Sequence, residues 1–230
     1  MRKTKIFPDV IRENSFCNIY SEIALQNYYE AKKIYQDILN NNYTICDTDI
    51  NYELNKYIII VCVFSAMSIE SFFNNYAAAC LEDSEFYDNF DRLSVLGKFQ
   101  LISKFILKKD IDKSRSYYSN LKILVKNRDT FVHNKSRDAS CYGTTLEKIN
   151  ESREYYDQQM LKEGPPMLDK SEIKKDFEIA RISIKALKDI ADFFEEADSD
   201  CFASFFLLNK VQYDSRNKIY FDEVKKEFGT

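Results

Sequence analysis

The chain has 230 residues, a length that suits one large domain or one domain with extensions. Its formal net charge of -4 gives no overall sign of nucleic-acid binding, although a local basic face stays compatible with it. Glycine occurs 4 times and proline 3 times, and so few turn formers favour long helices over a many-stranded sheet. With 16 Tyr and 18 Phe, aromatic rings are expected to supply much of the core.

The cysteines and the single histidine limit the metal chemistry that the chain can support. No two of the 6 cysteines form a CxxC pair and no second histidine is present, so neither a metal site nor a cofactor is expected. Cys62 and Cys80 lie in apolar runs and are predicted to be buried. The N-terminus does not resemble a secretory leader, and the apolar run at 57–64 is too short to span a bilayer. These features predict a reduced, cytoplasmic protein with no membrane partner.

In chain order, residues 1–15 are predicted to form an N-terminal arm and residues 16–200 the helical domain. A first helix is expected at 16–41, where three asparagines end it. A second helix is expected at 50–81, and because its middle is apolar on all sides it should be the central buried helix. The β-branched residues at 57–64 also suggest a strand, but the alanines that follow favour one continuous helix.

The second half of the chain continues the helical pattern after one interruption. A third helix is expected at 93–107 and a fourth at 115–135. Residues 136–169 are polar and contain Gly and Pro, which indicates an excursion between core helices. A fifth helix is expected at 171–198, and 201–230 is expected to be a C-terminal extension that ends in a polar tail. The fold class predicted is therefore all-α, a bundle of about five main helices with a polar excursion before the last long one.

The only histidine, His133, lies near the predicted end of the fourth helix, five positions after Arg128 and four after Asp129. Histidine both takes and gives a proton near neutral pH, and arginine carries a permanent planar charge that fits a phosphate. On an ideal helix Asp129 and His133 share a face, whereas Arg128 and His133 point about 140° apart. Asp129 is therefore expected to accept a hydrogen bond from the imidazole, while Arg128 flanks the same cleft.

A basic segment lies just upstream of this motif. Residues 98–128 carry 9 lysines and arginines against 2 aspartates. The segment is either a solvated helical face or a guide for an anionic partner such as RNA. Four residues close to His133 are the candidate RNA contacts: Lys122, Lys126, Asn134 and Lys135. A proton carrier, an orienting carboxylate and a fixed cation together are the parts that phosphodiester cleavage without a metal requires.

The order of these features resembles the HEPN superfamily of all-α domains. In that family an Arg, a polar residue, three further residues and a His lie on a late core helix. An apolar helix with an embedded Glu and a Phe/Asn pair often lies upstream. Here the Arg-Asp-x3-His run at 128–133 follows the segment 64–76, which contains Glu70 and Phe-Phe-Asn-Asn. The resemblance covers about residues 50–136. It departs from the family at Asp129, where Asn is commoner, and a carboxylate there would raise the proton affinity of the imidazole and partly offset Arg128.

The resemblance implies a metal-independent endoribonuclease. His133 would be the general acid and base, Arg128 would stabilise the charged transition state, and Asp129 would orient His133. Glu70 matches an upstream acidic position. Active members usually dimerise so that two motifs face one another, which implies RNA as substrate and a homodimer. The setting implied is a toxin–antitoxin or abortive-infection system, with an antitoxin protein as a further partner. Two alternatives stay open: a non-catalytic HEPN-like dimeric module that binds RNA, a nucleotide or a protein, and a plain helical scaffold in which the motif is chance.

Overall fold

A computed structural model of the chain describes residues 16–44, 47–82, 86–133, 167–198 and 215–229, together with positions 201, 203, 207 and 208. These residues form an all-α bundle, which confirms the predicted fold class. The β structure in this part of the chain is an isolated antiparallel bridge between Thr44 and Met167. The predicted N-terminal arm, Asn134, Lys135 and nearly all of the predicted excursion lie outside the described residues.

Five helices follow the predicted order with shifts at their ends, and a sixth, which was not predicted, lies in the C-terminal extension. Their bounds are α1 Cys17–Asn40, α2 Thr48–Cys80, α3 Val95–Leu101, α4 Ser116–Val132, α5 Lys170–Ala197 and α6 Ser215–Phe228. Single π-helical turns cover Phe86–Phe90 and Ile102–Ile106. The predicted third helix is therefore a short α-helix, begun by the Ser94 hydroxyl accepting from Gly97 N–H, that widens into a π-helical turn.

Helix α2 packs against α1, α4 and α5 and so lies at the centre of the bundle, as its apolar sequence predicts. It is not buried on all sides, however: Tyr52, Ile59 and Met67 are exposed along its outer face. In the part of the chain that the structure describes, the stretch Asp49–Cys80 is long and apolar enough to cross a membrane, with a mean hydropathy of 1.7 in its most apolar window. Half of that window is buried inside the bundle, as in the core helix of a helical domain.

Phe194 lies at the middle of a cluster of aromatic rings that joins α2, α3 and α5. Its ring centroid is 4.9 Å from that of Phe72, 5.1 Å from Tyr76 and 6.4 Å from Phe99. Phe73 stacks on Phe99 at 5.6 Å, which ties α2 to α3 directly. This cluster is the part of the core nearest to the candidate site. Phe73 lies one turn after Glu70 on α2, and Phe99 directly follows Lys98 on α3.

The C-terminal extension differs from the polar tail expected there. Helix α6 lies against α1, and its Val224 is buried. The Glu227 carboxylate accepts a hydrogen bond from the Tyr28 hydroxyl at 2.6 Å and pairs with Lys32 at 2.7 Å and Arg181 at 3.3 Å. Burial, together with this hydrogen bond, raises the pKa of Tyr28. Charged residues that look solvated in the sequence therefore anchor α6 to α1 and α5.

The described cysteines are expected to be poorly reactive in the native protein. Cys62 is buried, as predicted, and Cys80 is half-buried. Burial raises the pKa of Cys17 and Cys201 to about 12 and that of Cys62 and Cys80 to about 11. Since the thiolate is the nucleophile, native alkylation by iodoacetamide at about pH 8 should be more than about a hundredfold slower than in the urea-unfolded chain. Peptide mass spectrometry measures both rates, and rapid native labelling of Cys62 would show that the contact between α2 and α4 opens.

Candidate functional site

His133 is the first residue beyond the end of α4. The helix ends at Val132, and His133 has φ -108° and ψ 37°, outside the helical region. Its backbone N–H still donates to the Asp129 carbonyl at 3.0 Å, so the last turn is closed. The side chain is exposed. Because His133 has left the helical register, the 140° separation from Arg128 that an ideal helix gives does not fix where the imidazole points.

Asp129 pairs with Arg128 and not with His133. The distance from Asp129 Oδ1 to an Arg128 terminal nitrogen is 3.3 Å. Among the described residues, no hydrogen bond joins the Asp129 carboxylate to the imidazole, so the orienting contact expected from the i to i+4 spacing is not made. The reason is local, because the neighbouring guanidinium is a nearer and permanently charged partner, and because the helix ends before His133.

Glu70 on α2 connects two cations from different helices. Its Oε1 accepts from Lys98 Nζ on α3 at 2.9 Å, and its Oε2 lies 3.8 Å from the second terminal nitrogen of Arg128 on α4. The structure thus brings together Glu70, Arg128 and Asp129, three of the four predicted catalytic residues. The fourth, His133, lies one helical turn beyond Asp129 at the same end of α4.

The prediction that the whole basic segment is solvated or faces RNA is wrong at Lys98, which is buried. Its side chain is 3 % exposed. The ammonium pairs with Glu70 and lies 5.9 Å from the ring centroid of Phe90. Lys109 is also engaged, with Glu196 at 3.2 Å and the Phe193 ring at 4.7 Å. Position explains the burial of Lys98, because Val95 and Ile102 at i-3 and i+4 are buried and place residue 98 on the inner face of this segment.

Two of the predicted RNA contacts are exposed on α4, where a polyanion has access to them. Lys122 and Lys126 both lie on the outer face of this helix. Lys126 is two residues before Arg128 on the same helix, so the two side chains point about 160° apart around its axis. Asn134 and Lys135 fall outside the described residues.

Arg128 lies at the border between the core and the surface. Its side chain is 23 % exposed, and its charge opposes, in part, the burial that raises the pKa of Cys62. A guanidinium has five N–H donors. Two carboxylate contacts therefore leave donors for a further anion, and partial burial strengthens its pull on a phosphate because the local dielectric is lower than in water. The arrangement is suited to holding a phosphate beside an exposed imidazole.

A polar groove between α1 and α6, lined by charged residues such as Lys32 and Glu223, includes none of the site residues. In the part of the chain that is described, no group of three or more His, Cys, Asp or Glu side chains is placed to hold a metal ion. No family model, curated protein or solved structure matches this chain.

Proposed function

We propose that the protein is a metal-independent endoribonuclease in which His133 and Arg128 act on an RNA phosphodiester. One observation carries the proposal: Glu70 of α2 lies 3.8 Å from Arg128 of α4. These are the upstream acid and the arginine that the HEPN resemblance implies, and they meet in the fold although they are far apart in the sequence. His133 lies exposed at the end of the same helix as Arg128, where RNA has access to it.

The reaction proposed is attack of a ribose 2′-OH on the adjacent phosphorus. The 2′-oxygen loses its proton to a base and forms a bond to phosphorus, while the bond to the 5′-oxygen breaks and that oxygen gains a proton. The products are a 2′,3′-cyclic phosphate and a 5′-hydroxyl. His133 carries one of these protons, and Arg128 neutralises the charge that develops on the non-bridging oxygens. Lys122 and Lys126, on the outer face of α4, attract the RNA backbone. DNA lacks the attacking hydroxyl and is not a substrate.

The homodimer is part of the proposal, because the family resemblance implies two motifs that face one another and each chain has a single imidazole. In the dimer, the second copy would face the first across the ends of α4. Exposed apolar side chains near the site suit such a contact: Val132 directly precedes His133, and Met67 lies one turn before Glu70 on α2.

A toxin–antitoxin or phage-defence role in the cytoplasm, with an antitoxin protein as partner, is part of the same proposal and is supported by the family resemblance alone. The second candidate function is a non-catalytic dimeric module that binds RNA, a nucleotide or a protein. One observation favours it, namely that the Asp129 carboxylate pairs with Arg128 and, among the described residues, makes no hydrogen bond to the His133 imidazole. The two functions differ in whether RNA is cleaved.

The test is incubation of the purified protein with end-labelled RNA in EDTA. The wild type should release products that end in a cyclic phosphate, and His133→Ala should lower the rate by about 10²–10⁴-fold, the usual contribution of an acid–base group. The matched control is Thr130→Ala, an exposed residue one turn earlier whose hydroxyl contacts the Lys126 carbonyl at 3.0 Å.

Because both side chains are exposed, the two variants should melt at the wild-type temperature, so a lost rate reports chemistry and not folding. Cleavage at the full rate by His133→Ala would rule out the assignment. RNA binding by the wild type without cleavage would favour the binding module.

A further inference from the structure

Lys98 is an unusual lysine because its ammonium is held inside the bundle. With its side chain 3 % exposed, it has lost nearly all of its contact with water. Burying an ammonium costs several kcal/mol unless a counter-charge compensates for the lost hydration. Glu70 supplies that counter-charge at 2.9 Å. The pair therefore carries a desolvation cost that an apolar residue at position 98 would avoid, which indicates a role for the charge beyond packing.

Four charged groups meet where α2, α3 and α4 come together, two of each sign. Lys98 and Arg128 are the cations, and Glu70 and Asp129 are the carboxylates, each within 3.8 Å of an opposite charge. Without Lys98, one guanidinium would face two carboxylates, and the excess negative charge would repel a phosphate. With Lys98, the first oxygen of Glu70 is engaged by the buried ammonium, and the longer contact to Arg128 leaves the guanidinium its attraction for a further anion.

We infer that Lys98 is a positioning residue that neutralises Glu70 and thereby keeps the charge of Arg128 available to an RNA phosphate. The inference rests on the proposed function, since it names how that same site is tuned for its substrate. Lys98 does not touch the RNA in this arrangement. It acts through Glu70, whose side chain is 34 % exposed and spans the distance between the inner ammonium and the outer guanidinium.

The decisive variant is Lys98→Met, which keeps the length and shape of the side chain and removes its charge. A short fluorescent 2′-O-methyl oligonucleotide is a suitable probe because it lacks the attacking hydroxyl and is not cleaved. We expect the affinity for this probe to fall by about tenfold, the value of one charge-assisted contact. The salt dependence of binding, measured by polarisation between about 50 and 200 mM salt, should lose about one unit of slope.

Two further variants distinguish the effect of Lys98 on Arg128 from the loss of any positive charge and from a loss of folding. Lys104→Met removes an exposed lysine only six positions away and should cost about threefold at most. The double variant Lys98→Met/Glu70→Gln removes one charge of each sign and restores the balance. It should recover both the affinity, to within about threefold of the wild type, and the salt slope. Equal affinities of Lys98→Met and Lys104→Met would overturn the inference.

A second measurement tests the network without RNA. The guanidinium N–H resonances of Arg128, assigned with Arg128→Lys, should shift and exchange more slowly in Lys98→Met, because Glu70 then pairs with Arg128 alone. They should stay at the wild-type position in Lys104→Met. If the protein neither binds nor cleaves RNA, the proposed function fails while this measurement still reads the coupling of Lys98 to Arg128. Unchanged resonances in Lys98→Met would overturn the inference by themselves.

Discussion

Replacing Phe194 by alanine should lower the free energy of unfolding by about 3–5 kcal/mol, the usual cost of removing a fully buried aromatic ring. Phe194 is 0 % exposed. Its ring contacts Phe72 at 4.9 Å, Tyr76 at 5.1 Å and Phe193 at 5.8 Å between centroids. Since these neighbours belong to two long helices that are held elsewhere along their lengths, they cannot move together to fill the space, and a cavity remains.

The measurement is urea unfolding followed by circular dichroism, with the slope of the transition compared as well as its midpoint. Phe105→Ala is the matched control, because it makes the same change at a ring that is 61 % exposed. The control should cost about 0.5 kcal/mol or less. Equal losses in the two variants would show that the ring cluster is not the centre of the core.

The same aromatic cluster holds α2 and α3 together at the candidate site, so the loss of Phe194 should also affect the proposed activity. Phe73, one turn after Glu70 on α2, stacks on Phe99 at 5.6 Å, and Phe99 follows Lys98 on α3. A looser ring cluster would let α2 and α3 shift against each other and lengthen the pair of Glu70 and Lys98. Such a displacement would act on the proposed site in the same direction as Lys98→Met, which removes the pair altogether.

Helix positions could be predicted from the sequence because apolar spacing and the scarcity of Gly and Pro are local properties of the chain. The π-helical turn at Ile102–Ile106 could not, because it depends on how the segment meets the bundle. Its extra residue rotates the side chains that follow. Ser103 is therefore buried and Phe105 exposed, although Phe105 continues the apolar stripe that includes Phe99 and Ile102.

Charges were the least predictable part of the site and of the C-terminal extension. A count of the basic residues treats Lys98 as solvated like its neighbours. In the structure, Lys98 of α3 pairs with Glu70 of α2. Glu227 is a similar case, since its partners Lys32 and Arg181 come from α1 and α5. The sequence does not tell a paired charge from a solvated one unless the apolar positions on either side, as around Lys98, place the residue on a buried face.

Mixing two inactive variants, His133→Ala and Arg128→Ala, should restore RNA cleavage to about a quarter of the wild-type rate if the dimer is isologous and each site combines one residue from each copy. After random exchange of subunits, about half of the dimers contain one copy of each variant. Each of these mixed dimers has one intact site and one site that lacks both residues. Alone, each variant should stay about 10²–10⁴-fold below the wild type, so the recovery is large. Cleavage rates measured after subunit exchange, at one total protein concentration, give the result.

The control mixture tests the same point by a loss of activity, because a shared site keeps less activity in it than a self-contained site does. When the wild type is mixed in equal amounts with a chain carrying both substitutions, a shared site leaves activity only in wild-type dimers, about a quarter of the total, whereas a self-contained site keeps about half. In the described residues the His133 imidazole makes no hydrogen bond to the Asp129 carboxylate, and Arg128 pairs with Glu70 on α2. The proposed dimer would place His133 of one copy beside Arg128 of the other, so that both act on one phosphate. A mixture of the two single variants that stays at the residual rate would contradict the shared site.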